Sequence, residues 1–178
     1  MARIYSWHRA AACLHSNGDV DKARQSYQKL LASDPQNAAA LFALGVLAQE
    51  NGSFDEALLW VAQSLELEPT VEKCILAGKV LEQQNQHAAA LVYYRRAKEL
   101  EPCGLLALEV LAEALDRNQE YEESSGVWAR RLRLESGNTP KQLQLRLYLT
   151  NALRLAGHLS RAGQVLSQAR AMGQAQAE

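Results

Sequence analysis

The side chains in this 178-residue chain that could do chemistry are few, and their spacing is not that of an active site. His8 and His15 stand seven apart, on one face of a helix, with Cys13 nearby. A metal ion would need a third and a fourth ligand at fixed geometry, so these histidines read as groove or surface residues and no metal is expected. Glu109 and Glu113 are i, i+4 neighbours. They could serve as acid and base only inside an enclosed pocket that raises a pKa, and nothing around them in the sequence promises one. Glu120, Glu122 and Glu123 surround Tyr121 at the start of a helix, where acids are favoured by the macrodipole. The chain has no Gly-rich phosphate loop, no HExxH and no GxSxG. No catalytic residue and no cofactor are therefore expected. Asn51-Gly52-Ser53 has the form of a glycosylation sequon, but it also reads as a turn.

The elements that would hold these residues are short amphipathic helices. From Ala38 to Pro69 the apolar residues Leu41, Leu44, Val46, Leu47 and Ala48 recur at helical spacing. Asn51-Gly52 breaks that helix. A second begins near Ser53, with Ser53 and Glu56 spaced as a capping box. Its apolar face carries Phe54, Ala57, Leu58, Val61 and Leu65, and Pro69 stops it. Gly45 and Ala57 are small where the two helices would cross. Two such helices cannot bury both faces alone, so the pair needs stacked neighbours.

Pro35, Pro69 and Pro102 recur 34 and 33 residues apart, a period of helix-turn-helix solenoids. With Gly45 taken as position 8, five units begin at Ile4, Ala38, Val71, Leu105 and Leu143. A large slot then holds Trp7, Leu41, Cys74, Leu108 and Arg146. A small slot holds Ala11, Gly45, Gly78, Ala112 and Thr150. A second small slot holds Ala23, Ala57, Ala90, Ser124 and Ala162. Two aromatic slots hold Val20, Phe54, His87, Tyr121 and Leu159, and then Tyr27, Val61, Tyr94, Trp128 and Leu166. This unit resembles the tetratricopeptide repeat over nearly the whole chain. The resemblance implies an all-α fold, a right-handed superhelical α-solenoid of stacked antiparallel helix pairs forming a single array over residues 1–178. The fifth repeat is degenerate. Arg146 fills an apolar slot, Thr150 and Arg131 fill small ones, Ser136 replaces the Pro, and SGNTPKQ lengthens the connection. A changed stacking angle is expected at that join. Trp7 and Trp128 read as core, His87 as packed in its slot, Trp60 as partly exposed and His158 as a turn residue.

Net charge is −1, which gives no overall drive toward nucleic acid or an anionic membrane. The last stretch, 137–178, carries five basic and one acidic residue, but its arginines are spread singly with no interleaved aromatics. Nucleic-acid binding is not expected. Cys13, Cys74 and Cys103 are odd in number and form no CxxC, which argues against a disulfide framework and for a reducing compartment. The chain shows no signal-peptide pattern and no apolar run long enough to span a membrane. A cytoplasmic location is expected.

The resemblance also implies which surface works. In tetratricopeptide repeats the first helices line a concave groove. The positions that face it correspond here to His8, Phe42, Val46, Gln49, Ile75, Lys79, Glu82, Glu109, Glu113, Asp116, Asn151 and Arg154, together with Leu106, Gln144 and Leu147. Phe42, Val46 and Ile75 are expected as an exposed apolar floor, with Glu82, Glu109, Glu113 and Asp116 as an acidic patch beside it. The matching partner is a peptide or helix with an apolar anchor and nearby Lys or Arg. The clamp that some relatives use for acidic chaperone tails is not matched, since its positions hold His8, Ala12, Ala43, Glu72 and Leu76. The expected function is a non-catalytic scaffold, adaptor or chaperone-like binder. The alternatives are the recruiting module of a larger enzyme, such as a bacterial glycosyltransferase, and a self-associating scaffold. The Met1 start and Glu178 end favour a complete small protein, while the short stretch after Ala171 leaves no separate solvating helix.

Overall fold

A computed structural model describes residues 19–136 and 139–175. The expected first helix of the first repeat, with Tyr5, Trp7, His8, Cys13 and His15, falls outside the described residues. Among those described, nine helices follow one another without a strand. They are α1 (Val20–Ser33), α2 (Ala38–Glu50), α3 (Phe54–Leu67), α4 (Val71–Gln83), α5 (His87–Leu100), α6 (Leu105–Arg117), α7 (Tyr121–Leu134), α8 (Pro140–Leu155) and α9 (Leu159–Ala175). Contacts divide the chain into two compact units, with the boundary between Tyr93 and Tyr94, inside α5.

In the first unit α1, α2, α3 and α4 pack in succession, and α2 also meets α4. Its core gathers Ala23, Tyr27, Leu30, Ala40, Leu44 and Leu47. Ala48, Ala57 and Val80 form a second cluster. In the second unit α6, α7, α8 and α9 pack in succession around Leu108, Leu111, Leu115, Trp128, Leu145 and Leu153, all buried. The small slots are closed to solvent: Ala23, Ala57, Ala90, Ser124 and Ala162 are all buried. At the α2–α3 crossing a Cβ on Gly45 would stand 2.6 Å from Val61 Cγ2 and 3.4 Å from the Ala57 carbonyl oxygen. Glycine is thus required there by the approach of the two helices.

The turn inside each hairpin is the same device four times. Gly52, Asn85, Gln119 and Gly157 occupy equivalent repeat positions, and all have positive φ, at 75°, 61°, 63° and 86°. Each N–H donates to the carbonyl three residues back, and the next residue's N–H donates to the carbonyl five residues back. For the first turn these are Gly52 N to Gln49 O at 3.1 Å and Ser53 N to Ala48 O at 2.8 Å. This is the Schellman arrangement, which satisfies the last carbonyls of the first helix.

Two local expectations are corrected. Ser53 makes no side-chain cap, so the Ser53–Glu56 capping box does not form. Glu56 instead accepts from Arg24 Nη1 at 3.2 Å and from Trp60 Nε1 at 3.2 Å. A charge-assisted bond to the neighbouring repeat outcompetes a backbone N–H on its own helix. His87 is exposed rather than packed in its slot. Asn37, Thr70 and Thr139 do cap their helices, accepting from Ala40 N, Lys73 N and Gln142 N. The α3 C-terminus is closed by a buried lysine. Lys73 Nζ donates to the Glu68 carbonyl at 2.8 Å and pairs with its carboxylate at 3.1 Å.

The connection SGNTPKQ does more than lengthen a loop. Pro140 sits at the N-terminus of α8, where its missing N–H costs nothing. The segment thereby adds a first turn to α8, which runs 16 residues where α2, α4 and α6 run 13.

Candidate functional site

The surfaces considered are the solvent faces of the first helices of each hairpin, taken separately in the two units. In the first unit these are α2 and α4. Phe42 and Val46 are half-buried, Gln49 donates to Gln83 Oε1 at 3.1 Å across to the next first helix, and Lys79 is exposed. Glu82 is half-buried and has an interaction partner. Ile75 is only 5% exposed, which corrects the expectation of an exposed anchor there. Its side chain is taken up by packing and offers little to a ligand.

In the second unit the face belongs to α6 and α8. Leu106 is 58% exposed and Leu147 48%, the largest apolar exposures on these two helices. Gln144, Asn151 and Arg154 are exposed on α8, with Arg154 Nη2 donating to Asn151 Oδ1 at 3.0 Å.

The expected acidic patch is largely spent inside the protein. Asp116 accepts from Trp128 Nε1 at 2.9 Å and from the Ser124 hydroxyl, bracing α6 against α7. Glu109 stands 2.6 Å from Lys141 Nζ on α8 and 3.5 Å from Arg131 Nε on α7. Glu113 lies 3.5 Å from Arg117, one turn along the same helix. Each of these carboxylates meets a donor, and those of Asp116 and Glu109 come from a neighbouring helix, a placement that single-helix periodicity does not show. The acids that open α7 behave the same way. Arg95 Nη2 pairs with Glu120 and Glu123, at 2.5 and 2.7 Å, and His158 Nε2 lies 2.7 Å from Glu122. The Glu123 hydrogen bond is the leading reason that the Arg95 guanidinium is held above its ordinary pKa. An open cleft of about 580 Å³ runs over this corner, lined by Gln119 to Glu123 with Leu155 and Ala156. Its three acids are committed to cationic or histidine partners, so no free carboxylate pair is left there for acid–base work.

Among the described residues no group of three or more His, Cys, Asp or Glu is placed to hold a metal ion. Cys74 is buried and Cys103 exposed, and neither is in a disulfide. No described helix is long and apolar enough to cross a membrane.

Helix hairpins closed by one turn and packed in succession define an α-solenoid repeat protein. Profiles described as tetratricopeptide repeat match residues 7–71 and 74–102. The chain belongs to the tetratricopeptide-repeat family. It is 33% identical over 79 residues to BBSome complex member BBS4 of Bos taurus, a match that takes in 44% of this chain and 15% of that protein. Among solved structures, MamA superposes with a TM-score of 0.80 at 19% identity, covering 99% of this chain and 96% of its own. YrrB, described as a TPR protein with an unusual peptide-binding site, gives 0.75 at 20% identity, over 93% and 84%. At such identities these structures speak for the fold.

Proposed function

We propose that this protein binds an extended peptide or an amphipathic helix of another protein on the solvent face of its first helices, as a non-catalytic scaffold or adaptor. The observation that carries the reading is the display of Leu106 and Leu147 on α6 and α8. Two large apolar side chains about half exposed on one unit, with Gln144, Asn151 and Arg154 exposed on the same helix as Leu147, suit a ligand better than water. The partner supplies apolar anchors, with a basic residue facing Glu113. Glu109 and Asp116 contribute little to its recognition, because their charges are already matched internally. Helix-in-groove and extended-peptide recognition both need only such anchors and a polar rim. YrrB's peptide-binding site and BBS4's membership of a complex lend support by likeness. The reading includes a cytoplasmic setting, in keeping with Cys74 and Cys103 standing outside any disulfide.

The test is capture from a lysate, comparing wild type with a Leu106→Ser, Leu147→Ser variant that melts normally. A protein held by wild type and lost by the variant identifies the partner and its face. Equal capture by both moves binding off this face and overturns the proposal.

A further inference from the structure

In the described repeats other than the fourth, one interior slot of the second helix is filled by Leu30, Ser64, Ala97 and Ala169, none of them charged and each buried. In α7 that slot holds Arg131, at 4% exposure. Its guanidinium pairs with Glu109 of α6 and, at 2.6 Å, with Glu135 just beyond α7. The added first turn of α8 completes the cluster. Lys141 reaches Glu109, Gln142 Nε2 donates to the Glu135 carbonyl at 2.7 Å, and Arg146 Nη1 donates to Gln142 Oε1 at 2.6 Å. The residues that make the fifth repeat look degenerate thus form one polar network at a single joint.

We propose that this joint is an ionic latch, from which α8 and α9 come away together as one unit while α6 and α7 stay folded. Burying charges exacts a desolvation cost that their attraction repays only when every donor is satisfied. Here Arg146 Nε is buried without a hydrogen-bond acceptor and Arg131 Nε reaches Glu109 only as a long 3.5 Å ion pair, so the compensation is incomplete. The apolar side of the joint keeps it closed at rest: Leu145, Leu149 and Leu153 are buried, and the Tyr148 ring lies 4.9 Å from that of Trp128. With its ionic half under-satisfied, this joint is the place where the array opens as a separate unit. Opening uncovers Trp128 and the apolar face of α8, and it frees Glu109 from Lys141.

Native-state hydrogen exchange of the full chain, read by mass spectrometry, tests this. Peptides across 140–175 are expected to exchange through one shared opening, at least about tenfold more frequent than that of 105–134. Raising NaCl should widen the gap, because screening weakens partly exposed pairs such as Lys141–Glu109. Glu109→Gln should widen it further and blunt the salt response. The salt arm uses the wild-type chain alone, so it reads the latch even if the variant unfolds. The proposal is overturned if 140–175 opens only with 105–134, if salt moves both alike, or if early exchange is confined to the last turn of α9.

Discussion

Replacing Gly45 by Ala sets two effects of known sign against each other. Alanine is the better helix former, and in an exposed helix interior the change would stabilise by about 1 kcal/mol. Gly45 is not exposed. Its new Cβ would stand 2.6 Å from Val61 Cγ2, roughly an ångström inside the ~3.5–4.0 Å optimum for two carbons. Val61 is fully buried and, being branched at Cβ, has essentially one rotamer in a helix, so it cannot swing aside. The relief left is separation of α2 from α3, which loosens the α2–α3 packing. Overpacking of this kind costs ~1–3 kcal/mol, so the substitution should destabilise by roughly 1 kcal/mol net. Urea unfolding followed by circular dichroism would show the midpoint fall with little change in slope. Val61→Ala removes the clashing methyl, so the pair should be less damaging together than the sum of the two alone, by about 1 kcal/mol. A rise in the midpoint for Gly45→Ala, or strict additivity of the pair, would refute the close crossing.

Two further predictions follow from local geometry. Burial, with the Glu113 charge behind it, pushes the Tyr94 phenol from 10.0 up to about 12. Between those values the unfolded chain releases a proton that the folded chain keeps, so stability falls as pH rises, by roughly 2–3 kcal/mol in all. Tyr94→Phe should flatten the melting-temperature profile across that window, and parallel profiles for the two proteins would contradict the assignment. Gln119 holds a left-handed backbone without being glycine, at φ 63°. Gln119→Gly should raise stability by about 0.5–1 kcal/mol, while Asn85→Gly should be nearly neutral because Asn tolerates that region. A loss on Gln119→Gly in thermal melts would count against the shared turn.

The fold was legible because a solenoid writes its rules once per repeat. Ala57, Ala90, Ser124 and Ala162 each say little, but in phase they mark every described hairpin. The turn was legible at Asn51-Gly52 and beside His158, and glycine marks it at Gly52 and Gly157, whereas Asn85 and Gln119 do not announce it by residue type. Charge was not legible. Glu56, Glu109, Glu120, Glu122 and Glu123 read as a cap, a patch and a dipole-favoured helix start, because sequence periodicity shows one helix at a time. Their partners Arg24, Lys141, Arg95 and His158 lie 25 to 36 residues away on a neighbouring hairpin or in its turn. The burial of Ile75 escaped for the same reason, since position in a repeat predicts a facing direction and not what packs on it.

The four turns have a consequence for how the chain reaches its folded state. Each is closed by backbone bonds spanning at most six residues, and the helices it joins are immediate neighbours in sequence. A hairpin can therefore assemble without waiting for a distant segment to arrive. Chains dominated by such short-range contacts fold fast, and an array of them can nucleate at more than one place. A nascent chain would begin acquiring structure as soon as one hairpin and its neighbour were free of the ribosome, long before the last repeat was made.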